Sequence, residues 1–151
     1  MSIPVEKNKL LTSGYFPCQL TARPSFSFWE SSMHVAKKHP IFNGLPQDCL
    51  MDEPYHEVAP AESFYQLEAE DAPAQTITWF RPEDEDKVNK RNYLGGEDLW
   101  HGTDIAIKSY GEGHIILSSL ILRTKIGRDS VANRLLRNFI SHAESLIQKN
   151  S

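Results

Sequence analysis

Between Asp104 and Ile147 the apolar positions change their spacing twice, and each change marks a new element. Ile105, Ile107 and Ser109 alternate with Asp104, Ala106, Lys108 and Tyr110, a period of two that predicts a half-buried strand. Gly111-Glu112-Gly113 supplies residues that tolerate positive φ, so the chain can reverse tightly there. His114 to Leu122 is then nearly continuous apolar sequence, which predicts a strand covered on both faces. After Gly127, Asp129 or Ser130 can cap a helix. Its apolar residues Val131, Leu135, Leu136, Phe139, Ile140, Ala143, Leu146 and Ile147 recur at steps of three and four. A covered strand leading into an amphipathic helix predicts part of an α/β sandwich.

Upstream the pattern is more broken. Phe16 to Leu20 and Phe26 to Trp29 are short apolar pieces around Arg23-Pro24. With Pro17 and Pro24 present they read as extended segments at a sheet edge rather than helices. Ser31 or Ser32 can cap a short helix running to Lys38, ending before His39-Pro40. His39 to Pro46 predicts a compact turn, reversed at Asn43-Gly44 and pinned to the core by Ile41, Phe42 and Leu45. Strands are expected around Tyr55 to Val58, Ser63 to Leu67 and Gln75 to Phe80, the last from its β-branched and aromatic content. Arg81 to Asp98, with Pro82, an acidic run and Gly95-Gly96, reads as a long exposed loop or lid.

Composition narrows the classes without naming one. The chain has 151 residues, enough for one domain with a real core, and its 40% apolar and 24% charged shares are ordinary for a globular protein. The net charge of -4 argues against nucleic acid or an anionic membrane as the main partner. The basic residues do not cluster: Lys87, Lys90 and Arg91 follow directly on Glu83 to Asp86. No signal-peptide core or membrane-length apolar run is visible, so the chain as written reads as cytoplasmic.

The residues that could carry chemistry do not assemble into a motif. Cys18 and Cys49 are too few for a disulfide framework and read as reduced thiols. Cys49 is the nucleophile to test, yet it has no neighbouring glycine and its neighbour Asp48 disfavours a thiolate. The histidines at 34, 39, 56, 101, 114 and 142 show no metal-ligand spacing and imply no cofactor. Asp52-Glu53 and Glu97-Asp98 are adjacent pairs that point apart on a strand, so neither can flank a glycosidic bond. Gly111-x-Gly113 and Gly95-Gly96 lack the context of a phosphate loop.

Several stretches nevertheless carry a resemblance. His39 to Pro46 followed by Cys49-Leu50-Met51-Asp52, Gly102-Thr103-Asp104 through Ser118-Ser119-Leu120, and Gly127 to Asn138 resemble the C-terminal part of a glutamine-amidotransferase-like, flavodoxin-like domain. Such domains are appended to some glycoside hydrolases, including β-galactosidase-like members of family 2. The resemblance spans roughly residues 30 to 145. It implies an α/β fold with an open, mostly parallel sheet, a C-terminal β-hairpin and a packed C-terminal helix. The leading strand–helix units and the nucleophile turn of true amidotransferases are not found, so residues 31–151 read as the back portion of such a domain after an irregular 1–30 segment.

The function this implies is that of a non-catalytic accessory domain of a carbohydrate-active enzyme, with catalysis in a separate domain. A stand-alone amidotransferase-like hydrolase using Cys49 and a protein-interaction module are the rival expectations. The partners implied are the catalytic domains of a parent glycosidase, or a second copy of a chain whose sheet edge is left open, with carbohydrate as candidate ligand. Trp79, Tyr93, Trp100, His101 and Asp98 would make the sugar contacts, aromatics stacking on the ring and polar groups taking hydroxyls. The competing roles are a core position for Trp79 and a loop anchor for Trp100.

Overall fold

The computed structural model describes residues 21–24, 33–60, 62–65, 67, 69–78 and 100–149. They form a seven-stranded sheet with one long helix on it. The strands are β1 (Thr21–Pro24), β2 (Met33–Ala36), β3 (Cys49–Leu50), β4 (Glu62–Tyr65), β5 (Asp71–Thr78), β6 (Trp100–Tyr110) and β7 (Gly113–Ser118). Their order is β1-β4-β6-β5-β2-β3, with β7 sharing the β4 side of β6. Helix α1 covers Ser130–Lys149, and two short 3₁₀ turns, η1 (Pro40–Phe42) and η2 (Glu53–Tyr55), complete the layer.

The expected α/β class holds at that coarse level, but every described strand pair is antiparallel rather than mostly parallel. Short connections explain the difference. The 111–112 turn joins β6 to β7, and among the described residues no α-helix lies between one strand and the next, so no described connection is a crossover that returns the chain to the same sheet end.

The core lies between one sheet face and the layer above it. Ala36, Ala74, Ile105 and Ile107 supply the sheet side; Ile41, Phe42, Tyr55, Val58, Leu120, Ala132 and Leu135 supply the other. Phe42 and Tyr55 meet edge to face, 5.9 Å between centroids. The compact turn 39–46 is as predicted, with Ile41 and Phe42 buried and Gly44 at φ 76°. Its reversal requires the left-handed region.

The C-terminal helix also follows its pattern at the start. Asp129 accepts from the amide of Ala132 at 2.8 Å as an N-cap, and Gly127 before it sits at φ 81°. Later the stripe departs from expectation. Ile140 and Ile147 are 53% and 68% exposed, and Ile147 borders an open cleft against the β6–β7 hairpin rather than the core.

Four other expectations are corrected. Residues 33–36 form strand β2 rather than a helix, because backbone pairing with β5 and β3 outweighs the local serine caps. Tyr55 to Val58 is a 3₁₀ turn and bend, set by Pro54 in its first turn and by the Val58 amide bonding to Tyr55. β7 is not central among the described strands: there it pairs with β6 alone, and its residues 114–117 are only half buried. Finally, the alternation in β6 fails at its centre, where Asp104, Ile105, Ala106 and Ile107 are all buried. Residues 21–24, between the two apolar pieces expected at a sheet edge, form β1, which ends the described strand order and carries Pro24; the pieces themselves, 16–20 and 26–29, lie outside the described residues. The 81–98 loop lies outside the described residues.

Candidate functional site

Among the described residues the most concentrated chemistry is a row of four polar side chains across neighbouring strands. Pairing of β5 with β6 sets Gln75 opposite Thr103 and Ala74 opposite Ile105, leaving Asp104 as one surplus residue on β6. This is a β-bulge, and it turns Asp104 onto the same face as Ile105. On the other side of β6 the pairing of Phe64 with Thr103 sets Ser63 beside Asp104. His34 pairs directly with Thr76 on the next strands. Residues from β4, β6, β5 and β2 thereby converge.

Asp104 is wholly buried and fully engaged. Its Oδ1 accepts from the hydroxyls of Ser63 and Thr76, each at 2.6 Å. Its Oδ2 lies 2.9 Å from Nδ1 of His34, which is also 2.9 Å from the Thr76 hydroxyl oxygen. Ser63 and Thr76 are 2.6 Å apart. Each hydroxyl has one proton, and both are committed to Asp104, so the contact between Thr76 and His34 needs its proton from the ring. With an ionised carboxylate, Nδ1 therefore carries hydrogen and donates to Asp104 and Thr76 together. Of the Asp104–His34 pair, only His34 reaches solvent, with 11% of its side chain exposed against none for Asp104.

An aspartate fixing Nδ1–H of a histidine is half of a nucleophilic relay, in which the other ring nitrogen would face a hydroxyl or thiol. Here the hydroxyls bind the carboxylate rather than the second ring nitrogen. The arrangement holds four strands in register around a buried charge, and it compensates that charge with donors from three of them.

None of these four residues stood out in the sequence as a set. One signal was available: Gly102, inside a strand pattern and two positions before Asp104, is the kind of residue that accompanies a bulge. The expected sugar contacts are not assembled by the described residues. Trp79, Tyr93 and Asp98 lie outside them, as does the Trp100 side chain; Trp100 opens β6 opposite Thr78, and His101 is exposed beside it, opposite Ile77.

Cys49 lies on β3, half buried and free. Burial pushes its thiol above the ordinary range, and Asp52 and Asp48 push it further. Among the described residues, no group of three or more His, Cys, Asp or Glu is arranged to hold a metal, and no helix is long and apolar enough to cross a membrane. A cleft of about 820 Å³ opens between the β6–β7 hairpin and the last turns of α1. It is lined by Glu112, His114, Ile116, Leu146 and Ile147 among others. Ser109, on its wall, donates its hydroxyl and amide to Glu70.

Compared with protein-family models, curated proteins and solved structures, the chain matches none of them.

Proposed function

We propose that this chain is a non-catalytic accessory domain of a carbohydrate-active enzyme, of the glutamine-amidotransferase-like kind appended to β-galactosidase-like glycoside hydrolases. The observation that carries the reading is where the resembling stretches lie. The 39–46 turn is clamped to the 127–138 stretch by Asn138, which donates to Ile41 and Asn43, with the Arg134 guanidinium beside Gly44. The 102–104 and 118–120 stretches meet where the Ser119 amide donates to the Asp104 carbonyl at 2.9 Å. Ile41, Ile105, Leu120 and Leu135 from all three stretches share one core. Residues of this kind maintain an architecture, which is what an accessory domain contributes.

The chemistry points the same way. A thiol held protonated by burial and two carboxylates is a poor nucleophile, and the Ser63 hydroxyl is locked onto a carboxylate. The partner side of the reading falls on β7. It is a sheet edge with half-exposed Ile115, Ile116 and Leu117, bordering the cleft against α1. An apolar edge of this kind accepts a strand or face from a neighbouring catalytic domain or a second copy.

The test combines activity with binding on the purified chain. Aryl glycosides and glutamine should both be left unhydrolysed, while galactose-containing oligosaccharides titrated by calorimetry report any sugar contact. Release of ammonia from glutamine, abolished by Cys49→Ser, would replace this reading with the amidotransferase one. Turnover of an aryl glycoside would also overturn it.

A further inference from the structure

His39 occupies the junction of three elements, and both of its ring nitrogens are engaged. Nδ1 accepts the amide of Ile41 at 3.2 Å and so caps η1. Nε2 lies 3.1 Å from Oδ2 of Asp71 at the start of β5. The ring also stands edge-on to His142 of α1, centroids 4.7 Å apart at 71°. An amide N–H can point only at a nitrogen lone pair, so Nδ1 is bare and the single ring proton is on Nε2, shared with Asp71. Both bonds are compatible with one tautomer of the neutral ring.

Protonation changes one of them and not the other. The imidazolium still donates to Asp71 through Nε2, but Nδ1 gains a hydrogen aimed at the N–H of Ile41. The cap is then replaced by a clash of two donors.

We propose that His39 is a pH-sensitive latch, whose neutral Nε2–H form holds the 39–46 turn in the shape that docks on α1 and whose protonation releases it. The turn is also where Asn138 takes hold, through the carbonyls of Ile41 and Asn43, so the latch acts on the sheet's grip on its helix. The charged and titratable groups around it are Asp71 from β5 and His142 from α1, with Arg134 two turns earlier on the helix over Gly44. Its own segment adds Lys38 and Asp48, which are joined through the Lys38 amide. Burial opposes the charged ring and Asp71 favours it.

Burial prevails, and it holds the ring below the ordinary histidine value of 6.5, with Asp71 acting in the opposite sense. The neutral ring's contribution is therefore complete above that value. It is lost as pH falls below it toward the lowered value of the folded state.

Long-range ¹H–¹⁵N correlation spectra of the full chain read the tautomer directly. The expected result is Nε2–H at neutral pH. Between about pH 7.5 and about pH 5 the exchange protection of the Ile41 amide, corrected for intrinsic rates, should fall about tenfold. His39→Asn supplies an oxygen acceptor for the same amide without a titrating ring, and its protection should stay level over that range. An Nδ1–H ring at neutral pH would overturn the proposal, and so would an equal acid loss in wild type and His39→Asn. Should His39→Asn fail to fold, the wild-type tautomer and its titration decide alone.

Discussion

Ninety-seven residues separate Asn138 from Ile41 in the chain, yet the Nδ2 amide of one lies 2.8 Å from the carbonyl oxygen of the other. The second proton of that amide goes to the carbonyl of Asn43 at 2.9 Å. One side chain thus closes two backbone acceptors of the turn that follows β2. Asn138→Ala should cost about 1–3 kcal/mol of unfolding free energy by urea titration. Asn138→Asp should cost more, since a carboxylate would face two carbonyl oxygens. A loss under about half a kcal/mol for the alanine variant would show that the turn docks by apolar packing alone.

The carboxylate of Asp104 should be the most sensitive polar group among the described residues. Asp104→Ala strands Ser63, Thr76 and His34 together, and removal of one partner from a buried charge network costs about 3–5 kcal/mol. Ser63→Ala and Thr76→Val each remove one of its donors and should cost about 1–3 kcal/mol. Their double variant should deviate from the sum of the singles, as members of one network do. Strict additivity in a double-mutant cycle would mean that the two hydroxyls act separately.

Leu135 and Leu136 are neighbours with opposite fates. Leu135 is wholly buried in the core, whereas Leu136 is half exposed and outside it. Leu135→Ala should cost about 2–5 kcal/mol, and Leu136→Ala clearly less. Equal losses in urea would mean that the helix is rotated about its axis relative to the structure.

Cys49 should be a slow thiol. With its ionisation pushed upward by burial, Asp52 and Asp48, alkylation by iodoacetamide near neutral pH should lag behind glutathione. Raising the pH should accelerate it beyond the point at which glutathione levels off. A rate above that of glutathione at neutral pH would contradict the environment described for the residue.

What could be read from residue order was whatever depends on residues close together. The cap at Asp129, the turn at Asn43-Gly44 and the reversal at Gly111 are all specified within a few positions, and all stand where the pattern put them. The failures share the opposite property. Met33 to Ala36 carries no strand signal of its own and becomes a strand through partners some 40 residues away on β5. Asp104 belonged by alternation to the face opposite Ile105, and the bulge that moves it is visible only against β5. The same holds for the apolar run at 115–117. Its hydrophobicity predicted a central strand, but β4 and β7 share one side of β6, and among the described strands β7 is left at the edge. The polar row was illegible because its members lie at 34, 63, 76 and 104, and no local period links them.

That spread in sequence bears on how the chain reaches its final form. Hairpin 104–118 and helix α1 can begin from neighbouring residues, whereas the clasp must wait for segments 28, 41 and 70 residues apart to meet. A sheet that collapses one residue out of step would trap Asp104 away from its donors, at the expense of a bare buried carboxylate. The cluster therefore adds a polar penalty for misalignment to the one that the apolar faces already impose. In stopped-flow refolding, Thr76→Val should convert a single relaxation into several, as misaligned sheets persist long enough to be seen. An unchanged single exponential would mean that alignment is chosen before the clasp forms.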